Sequence, residues 1–426
     1  MPAAGAGPAR PVAPGPPPRP VMPVHPSVSS SAPRIPRYGT STLSAVLPGA
    51  AAALGVRLPL PAVELPAAER VCVVLVDGLG YRQLSEHRRS APFLATLLDG
   101  GGSDPSDPSG PSGHSGERGD RDGGGDVLQA GCPSTTATSL GSLGTGRPPG
   151  SHGLVGYEVL DPGSGRLLNE LRWSPDVDPV RWQPGATVFE QVAAAGVAVH
   201  SIGAPEFDGS GLTEAALRGA RFHGVRRWPG RVDAAIELLA EPGLVYAYWG
   251  DVDGAGHVYG PGSSAWRREL RHLDRGLDRL ARSVPHGTVL VVTADHGMVD
   301  VPHESRLDLA ERPDLTREVR LVGGDPRLAQ LYVEPGAGDR VAGRFADEAG
   351  DRAWVRTRDE AVAEGWFGPV DAAVLPRIGD VLVAARSQWA VVDSRTTPKT
   401  LLSLEGQHGS LTPEEQDIPL LTTVVH

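Results

Sequence analysis

Three apolar runs in this sequence are each followed closely by an aspartate. The runs, with the acids that follow them, are RVCVVLV at 70–76 with Asp77, LVYAYW at 244–249 with Asp251 and Asp253, and TVLVVTA at 288–294 with Asp295 and His296. Helical segments lie between these β-rich runs, a pattern typical of a mostly parallel sheet with helices on both faces. Parallel strands end at one edge of the sheet, where such folds bind ligands. We therefore predict an α/β fold in which acids from distant parts of the chain lie close together.

Clustered carboxylates indicate a metal site, because like charges at one place raise each other's pKa and a bound cation removes that cost. Histidines accompany the acids in three segments, which are Asp253-Gly-Ala-Gly-His257, Asp295-His296 and Gln407-His408-Gly409. Imidazole with carboxylate is the mixture that zinc favours. The glycines between Asp253 and His257 disfavour a helix, so we expect a shaped loop there. Taken singly, each aspartate fits an ordinary turn or N-cap and a lone histidine such as His408 fits a structural role, so the hypothesis depends on their co-occurrence.

Composition divides the chain into parts. The 426 residues include 55 glycines and 41 prolines, more than a wholly compact protein usually carries. We expect a disordered Pro/Ala-rich tail at 1–37 and a disordered insertion at 100–126. At 319–394 short strands and a helix predict a small α+β lobe. The predicted organisation is a catalytic α/β domain at 38–318, this inserted lobe, and a return to the catalytic domain at 395–426.

The overall charge and the cysteine count narrow the expected partners. Lys and Arg total 40 against 51 for Asp and Glu, a formal net charge of -11, so neither a nucleic-acid polymer nor an anionic membrane is expected. Two cysteines cannot form a disulfide framework or a cysteine zinc site. The proline-broken N-terminus offers no signal-peptide core, and no run of about 20 apolar residues follows it. We expect a cytoplasmic protein, and nothing in the sequence indicates its oligomeric state.

A segment rich in small hydroxyl residues lies at 132–146. It reads CPSTTATSLGSLGTG, and the Leu140/Leu143 spacing after Pro133 predicts a loop that enters a short helix. The N-terminal amides and dipole of such a helix suit an anion such as phosphate. A hydroxyl there could act as a nucleophile if a metal lowered its pKa. The alternative is an N-cap with packed small residues.

Five short motifs follow one another along the chain. In order they are VDGLG, PSTTATSLGSLGTGRPPGSHG, DVDGAGH, TADHG and GQHG. Together they resemble the alkaline phosphatase superfamily, and within it the nucleotide pyrophosphatase/phosphodiesterase branch, over roughly 70–318 and 395–426. The resemblance implies a sheet between helices, two zinc ions and a threonine nucleophile in a P-x-x-T segment. A sulfatase is disfavoured because Cys132-Pro133 lacks the C-x-P-x-R spacing.

Transferred residue by residue, the resemblance assigns roles in a metal site. It implies one metal ion held by Asp253, His257 and His408, and another held by Asp77, Asp295, His296 and the oxygen of Thr136. Thr136 is implied as the nucleophile, and its neighbours Ser134 and Thr135 are the alternatives. Tyr157 stands where the family commonly has a phosphate-binding asparagine, so its phenol is the expected replacement.

The resemblance implies a metal-dependent hydrolase of phosphodiester or pyrophosphate bonds that forms a phosphothreonine intermediate. Its expected partner is a small phosphate ester, with a nucleotide as first choice, and its cofactors would be two divalent metal ions, zinc before manganese or iron. Arg147, Tyr157, Phe207 and the lobe are expected to line the leaving-group region. A phosphomonoesterase or phosphonate hydrolase on the same scaffold is the alternative. A non-catalytic metal-binding module is disfavoured because all seven implied ligand positions carry suitable residues.

Overall fold

The computed structural model describes residues 32–100 and 126–426, so most of the predicted tail and insertion lies outside the described residues. The strands are β1 (Arg70–Val76), β2 (Asp126–Gln129), β3 (Glu158–Asp161), β4 (Arg166–Asn169), β5 (Val199–Gly203), β6 (Arg221–Gly224), β7 (Gly243–Trp249), β8 (Val289–Ala294), β9 (Val299–Asp300), β10 (Arg306–Asp308), β11 (Val319–Asp325), β12 (Leu328–Val333), β13 (Ala353–Thr357), β14 (Val381–Ala385), β15 (Ala390–Val392), β16 (Gly406–Gln407) and β17 (Asp417–Val424). The α-helices are α1 (Val46–Ala53), α2 (Tyr81–Glu86), α3 (Pro92–Leu98), α4 (Thr136–Thr145), α5 (Pro149–His152), α6 (Pro179–Trp182), α7 (Val188–Ala194), α8 (Gly211–Ala216), α9 (Trp228–Leu238), α10 (Asp251–Tyr259), α11 (Ser264–Ser283), α12 (Gly338–Ala349), α13 (Arg358–Ala363), α14 (Lys399–Leu402) and α15 (Pro413–Gln416).

A seven-stranded sheet in the order β2-β17-β8-β1-β7-β5-β6 forms the centre of the fold. Neighbours from β8 to β6 are parallel, whereas β17 runs antiparallel to both β8 and β2. All residues of β8 are buried, and in β1 only Arg70 is partly exposed. Because successive side chains of a strand point to opposite faces, this burial requires cover on both faces. The predicted mostly parallel α/β fold is confirmed.

Helices pack against this sheet from several parts of the chain. α1 contacts β1, α9 contacts β5 and β7, and α3 contacts β17. α11 is amphipathic and begins after Ser263, whose hydroxyl caps it by accepting a hydrogen bond from the Trp266 amide. Its buried leucines recur at helical spacing, namely Leu270, Leu273, Leu277 and Leu280. None of the helices in the described ranges is both long and apolar enough to span a membrane.

The segment from Asp253 to His257 is helical, so the predicted loop is wrong. Both residues lie on α10, one turn apart, with 3.4 Å between His257 Nε2 and Asp253 Oδ2. Each glycine in a helix costs about 1 kcal/mol relative to alanine, but one of them permits close packing here. A β-carbon at Gly256 would lie 2.6 Å from the sulfur of Met298. Tertiary packing therefore overrides the low helix propensity of this segment.

Residues 319–394 contain a second sheet, as predicted for the lobe. Its order is β11-β12-β14-β13 with antiparallel neighbours, and α12 and α13 contact β13 and β14. Buried apolar side chains such as Phe345 form a core under this sheet, apart from the core of the central sheet. The lobe also pairs with the preceding segment, because β15 lies parallel to β10. The boundaries at 319 and 394 stay a prediction.

A buried ion pair joins the lobe to the segment that follows it. Arg327, between β11 and β12, donates two hydrogen bonds to the carboxylate of Glu415 on α15, at 3.1 and 2.7 Å, and both side chains are fully buried. Glu415 also accepts hydrogen bonds from the Ser410 amide and the Thr412 hydroxyl. Two-point pairing of arginine with carboxylate is directional. The pair therefore fixes the β11–β12 turn relative to residues 410–416.

The last residues of the predicted tail, which ends at residue 37, contact the central sheet. Arg34 forms an ion pair with Asp417 of β17 at 2.8 Å, and the Arg37 amide donates to Gln129 Oε1 of β2 at 2.8 Å. The described end of the predicted tail is therefore attached to two strands of the sheet.

Candidate active site

The carboxyl ends of β8, β1 and β7 bring the predicted acids together. These three strands are neighbours, so Asp295, Asp77 and the first turn of α10 meet at one edge of the sheet. Gly78, with a φ of 70°, turns the chain after Asp77, and a β-carbon there would lie 2.9 Å from atoms of Asp253. Asp251 is exposed instead. The structure thus selects Asp253 over Asp251 as the acid beside Asp77 and Asp295.

One group of potential metal donors consists of Asp253, His257 and His408. One ligand atom from each lies within 4.8 Å of the others. The His257 ring is 5.1 Å from the His408 ring, which arrives from the segment after the lobe. The structure therefore places together the three residues that the sequence predicts for one metal ion. We call these residues the first donor group.

The second donor group consists of Asp77, Asp295 and His296, again with ligand atoms within 4.8 Å of one another. His296 Nε2 lies 3.3 Å from Asp77 Oδ1 and 3.6 Å from Asp295 Oδ2. Thr136 Oγ1 lies 3.3 Å from the same nitrogen. The rings of His296 and His408 stack with centroids 3.6 Å apart. The two donor groups therefore adjoin each other.

The acids of both groups lie where their charge is disfavoured. Burial, and next the charge of Asp295, raises the pKa of Asp77. Burial raises the pKa of Asp253 to about 7, and burial with the charge of Asp253 raises the pKa of Asp295 to about 7. Each acid also has a buried oxygen without a hydrogen-bond partner in the described part of the chain, namely Asp77 Oδ1, Asp253 Oδ1 and Asp295 Oδ2. Unpaired buried carboxylate oxygens are costly, so the cluster calls for a positive partner.

The histidines lie beside these acids, and a backbone carbonyl orients each ring. Each ring donates its Nδ1–H to a backbone carbonyl, His257 to Gly406 at 2.7 Å, His296 to Gly297 at 3.0 Å and His408 to Ser134 at 3.0 Å. A carbonyl only accepts, so Nδ1 carries a proton, and in the neutral ring Nε2 keeps a lone pair. Burial lowers the pKa of His296 to about 4, and burial with the charges of His296 and His257 lowers the pKa of His408 well below its usual value. Imidazole nitrogens and carboxylate oxygens, all acceptors, therefore face each other, an arrangement that fits a divalent cation between them.

The three adjacent hydroxyl residues at the start of α4 have different partners. Ser134 Oγ donates to the Ser410 carbonyl at 2.8 Å, and Thr135 Oγ1 donates to Asp325 Oδ1 at 3.0 Å. The Thr136 hydroxyl faces the second donor group, where its Oγ1 lies 3.3 Å from His296 Nε2. This geometry favours Thr136 over its neighbours, and its role as nucleophile stays a prediction.

A cavity of about 1410 Å³ lies over the two donor groups. Tyr157 and Phe207 line it, and so does the lobe at residues 322–326. Arg147, expected in the same region, is absent from the lining formed by the described residues. The cavity therefore connects the donor groups, the start of α4 and the lobe.

Similarity to known proteins agrees with the sequence motifs. The sequence profile of a family described as type I phosphodiesterase / nucleotide pyrophosphatase matches residues 71–411. The chain belongs to this family. An uncharacterized pyrophosphatase/phosphodiesterase of Schizosaccharomyces pombe is 26% identical over 178 residues, 39% of this chain and 36% of the relative. A phosphopentomutase of Anaeromyxobacter dehalogenans is 35% identical over 117 residues, 27% of this chain and 28% of the relative, so the chain matches well under half the length of either relative.

Solved structures share the fold of this phosphodiesterase-family chain over most of its length. Murine ectonucleotide pyrophosphatase/phosphodiesterase 5, as an inactive variant in complex with AMP, superposes with a TM-score of 0.62 at 17% identity and covers 83% of this chain and 87% of its own. Phosphonoacetate hydrolase of Sinorhizobium meliloti, in complex with phosphonoformate, superposes with a TM-score of 0.61 at 19% identity and covers 86% of this chain and 92% of its own. The predicted alkaline-phosphatase-like fold is confirmed.

Two residues beside the site of this family member escaped prediction. The Tyr248 hydroxyl donates to Asp77 Oδ2, but its position in an apolar run gives no hint of that direction. Asp325 lines the cavity at the end of β11. An acid at the end of a strand is close to the signal that identified Asp77 and Asp295, but Asp325 was missed because its strand belongs to the lobe.

We expect a divalent metal to stabilise this phosphodiesterase-family protein more at about pH 8 than at about pH 5. In the metal-free fold Asp253 and Asp295 have a pKa of about 7, above the usual value of about 3.9 for an unfolded chain. Their protonation therefore stabilises the fold fully below about pH 3.9, and that contribution is lost as the pH rises through 7. Metal binding needs the ionised carboxylates and replaces the lost contribution at high pH.

Thermal unfolding is measured with zinc and with EDTA at each pH between about 5 and 8. The difference between these two melting temperatures is the stabilisation by metal, called the gap below. Asp295→Asn should flatten the pH dependence of the gap, whereas Asp251→Asn, at the exposed neighbouring acid, should preserve it. A gap of constant size in the unmodified protein would contradict this expectation.

Proposed function

We propose that this chain is a metal-dependent hydrolase of phosphodiester or pyrophosphate bonds that forms a phosphothreonine intermediate on Thr136. The observation that carries the proposal is the position of the Thr136 hydroxyl, at the start of α4 and 3.3 Å from His296 Nε2 of the second donor group. A nucleophilic hydroxyl beside a potential metal site is an arrangement suited to phosphoryl transfer. Membership of the type I phosphodiesterase / nucleotide pyrophosphatase family supports the same reaction class.

Two divalent metal ions, zinc before manganese or iron, are the proposed cofactors. The first donor group would hold one ion, and the second donor group with the Thr136 oxygen would hold the other. Mixed imidazole and carboxylate donors suit these metals. When bound, such ions supply Lewis-acid chemistry that lowers the pKa of a neighbouring hydroxyl or water.

The residues of the chain bind, orient and attack the phosphoryl group. The first amides of α4 have no acceptor within the helix, and the Thr135 side chain does not cap them. They are therefore available to a phosphoryl oxygen. Thr136 Oγ1 forms a bond to phosphorus while the bond from phosphorus to the leaving oxygen breaks. Water then cleaves the bond between phosphorus and Thr136. Tyr157, on the cavity wall, is the proposed donor to a phosphoryl oxygen in place of the asparagine common in the family.

The cavity favours an ester with a sizeable leaving group, and we propose a nucleotide. Phe207 on the wall is 39% exposed, and its ring lies edge-on to Tyr248 with centroids 5.8 Å apart. An exposed aromatic ring in a cavity of about 1410 Å³ suits a flat group such as a nucleobase. The fold likeness to a protein in complex with AMP agrees with this choice.

Phosphonate hydrolysis is the second candidate. It is favoured by the fold likeness to phosphonoacetate hydrolase in complex with phosphonoformate. A phosphonate has a P–C bond in place of one ester bond, so the two candidates differ in the bond that is broken and can be separated by substrate.

Purified protein is expected to carry about two metal ions per chain and to hydrolyse bis-p-nitrophenyl phosphate faster than p-nitrophenyl phosphate. EDTA should lower this rate by at least about 100-fold, because the hydroxyl loses its activation, and added zinc should restore it. Metal analysis measures the metal content, and p-nitrophenol release measures the rate of hydrolysis. Preference for the monoester would favour a phosphomonoesterase, and phosphate release from phosphonoacetate would favour the phosphonate hydrolase. Two metal ions without hydrolysis would favour a non-catalytic metal-binding module.

A further inference from the structure

Asp325 of the lobe reaches the start of α4. It is the last residue of β11, is 6% exposed and lines the cavity over the donor groups. Its Oδ1 accepts a hydrogen bond from Thr135 Oγ1 at 3.0 Å. Its Oδ2 is buried without a hydrogen-bond partner among the residues that the structure describes. This carboxyl group therefore contacts the residue that precedes the proposed nucleophile, and it belongs to neither donor group.

Thr135 occupies the N-cap position of α4 without capping the helix. Its φ of -136° and ψ of 150° are those of an ordinary N-cap. The hydroxyl of an N-cap threonine commonly accepts a hydrogen bond from an amide in the first turn, but here no side-chain cap forms. The hydroxyl is turned instead toward Asp325. The amides at the start of α4 therefore stay open.

The surroundings of Asp325 hold it in this position. Gly409, with a φ of 131°, passes so close that a β-carbon there would lie 2.9 Å from Asp325 Cβ. Two residues later, the buried pair of Arg327 and Glu415 fixes the same turn of the lobe. Asp325 therefore has little freedom to follow the Thr135 hydroxyl if that hydroxyl moves.

We propose that Asp325 is a positioning residue that holds the Thr135 hydroxyl away from the end of α4, so that the first amides of the helix remain available to a phosphoryl oxygen. Without Asp325 the hydroxyl can turn back and cap the helix, in competition with the substrate. This inference rests on the proposed function, because it assigns those amides to a phosphoryl ligand. It also gives the lobe a part in preparing the phosphoryl site.

The test compares inorganic phosphate binding to four metal-loaded proteins by titration calorimetry, namely the unmodified chain, Asp325→Ala, Asp325→Asn and the double variant Asp325→Ala/Thr135→Val. Asp325→Ala should weaken phosphate binding about fivefold, the size expected for a competing cap. The double variant has no hydroxyl to form that cap and should bind within about twofold of the unmodified chain. Asp325→Asn keeps an acceptor for Thr135 and should bind more tightly than Asp325→Ala.

A merely structural role for Asp325 gives a different pattern. The double variant would then bind phosphate as weakly as Asp325→Ala or more weakly, and that result overturns the proposal, as would unchanged binding by Asp325→Ala or no binding by the unmodified chain. Thermal unfolding checks that each variant folds. If Asp325→Ala does not fold, Asp325→Ser with and without Thr135→Val makes the same comparison.

Turnover separates this proposal from the proposed function. Failure of the unmodified chain to hydrolyse any phosphate ester or phosphonate would refute the function, while the phosphate titrations would still decide the role of Asp325. Conversely, normal hydrolysis by the unmodified chain with no recovery in the double variant would refute the role of Asp325 alone.

Discussion

Replacing Thr136 with alanine is expected to lower kcat for bis-p-nitrophenyl phosphate by at least about 1000-fold while both metal ions remain bound. The substitution removes the oxygen proposed to form the bond to phosphorus. The carboxylate and imidazole atoms of both donor groups are left in place. Steady-state kinetics together with metal analysis of the same preparation measures the two effects. Mass spectrometry of acid-quenched protein should also find a phosphorylated peptide in the unmodified chain and none in the variant.

Thr138→Val is the matched control for this substitution. Thr138 lies two residues further along α4, is buried, and has a hydroxyl without a hydrogen-bond partner in the described ranges. Its replacement by an isosteric residue should change kcat by no more than about threefold. Full activity in Thr136→Ala would refute the assignment and transfer the nucleophile to Thr135 or Ser134.

The second large effect is expected at His408. His408→Ala should reduce the metal content from about two ions per chain to about one and lower kcat by at least about 100-fold. In the first donor group, Asp253 and His257 lie on α10, whereas His408 comes from outside this helix. The His408 ring also stacks on the His296 ring of the second donor group, with centroids 3.6 Å apart. The remaining pair, Asp253 and His257, leaves a metal with two protein donors. Metal analysis after dialysis gives the number of ions per chain, and kinetics at saturating substrate gives kcat.

An exposed histidine provides the comparison for His408. His286→Ala, at an exposed position before β8, should keep both the metal content and kcat. If His408→Ala still binds two metal ions as tightly as the unmodified chain, His408 is not a ligand and the first donor group is incorrectly assigned.

The strands and the acids that follow them could be predicted because their signals are local. The run at 70–76 is β1 to the residue, and an uninterrupted apolar stretch rich in valine after Arg70 identifies a strand that is buried on both faces. Once parallel strands are inferred, convergence of Asp77 and Asp295 follows from topology alone. The helix after Pro133 also had a local signal, the spacing of Leu140 and Leu143.

Features that depend on packing between distant segments could not be predicted. Helix propensity opposes α10, whereas the close passage of Met298 beside Gly256 favours a glycine at that position. The partners of Thr135 and Tyr248 come from other parts of the chain, at Asp325 and Asp77. No periodicity within a segment encodes such pairings, because they arise from how strands and lobe are placed in three dimensions.

The position of β17 makes the order of synthesis matter. This strand lies between β8 and β2, and the segment just before it, which includes α15, carries His408 and Glu415. A nascent chain that already contains Asp77, Thr136 and Asp295 therefore still has an open gap in its sheet and an incomplete first donor group. Unpaired strand edges are prone to aggregate. The chain consequently gains its closed sheet and its full set of ligands together, only when residues 408–424 have left the ribosome.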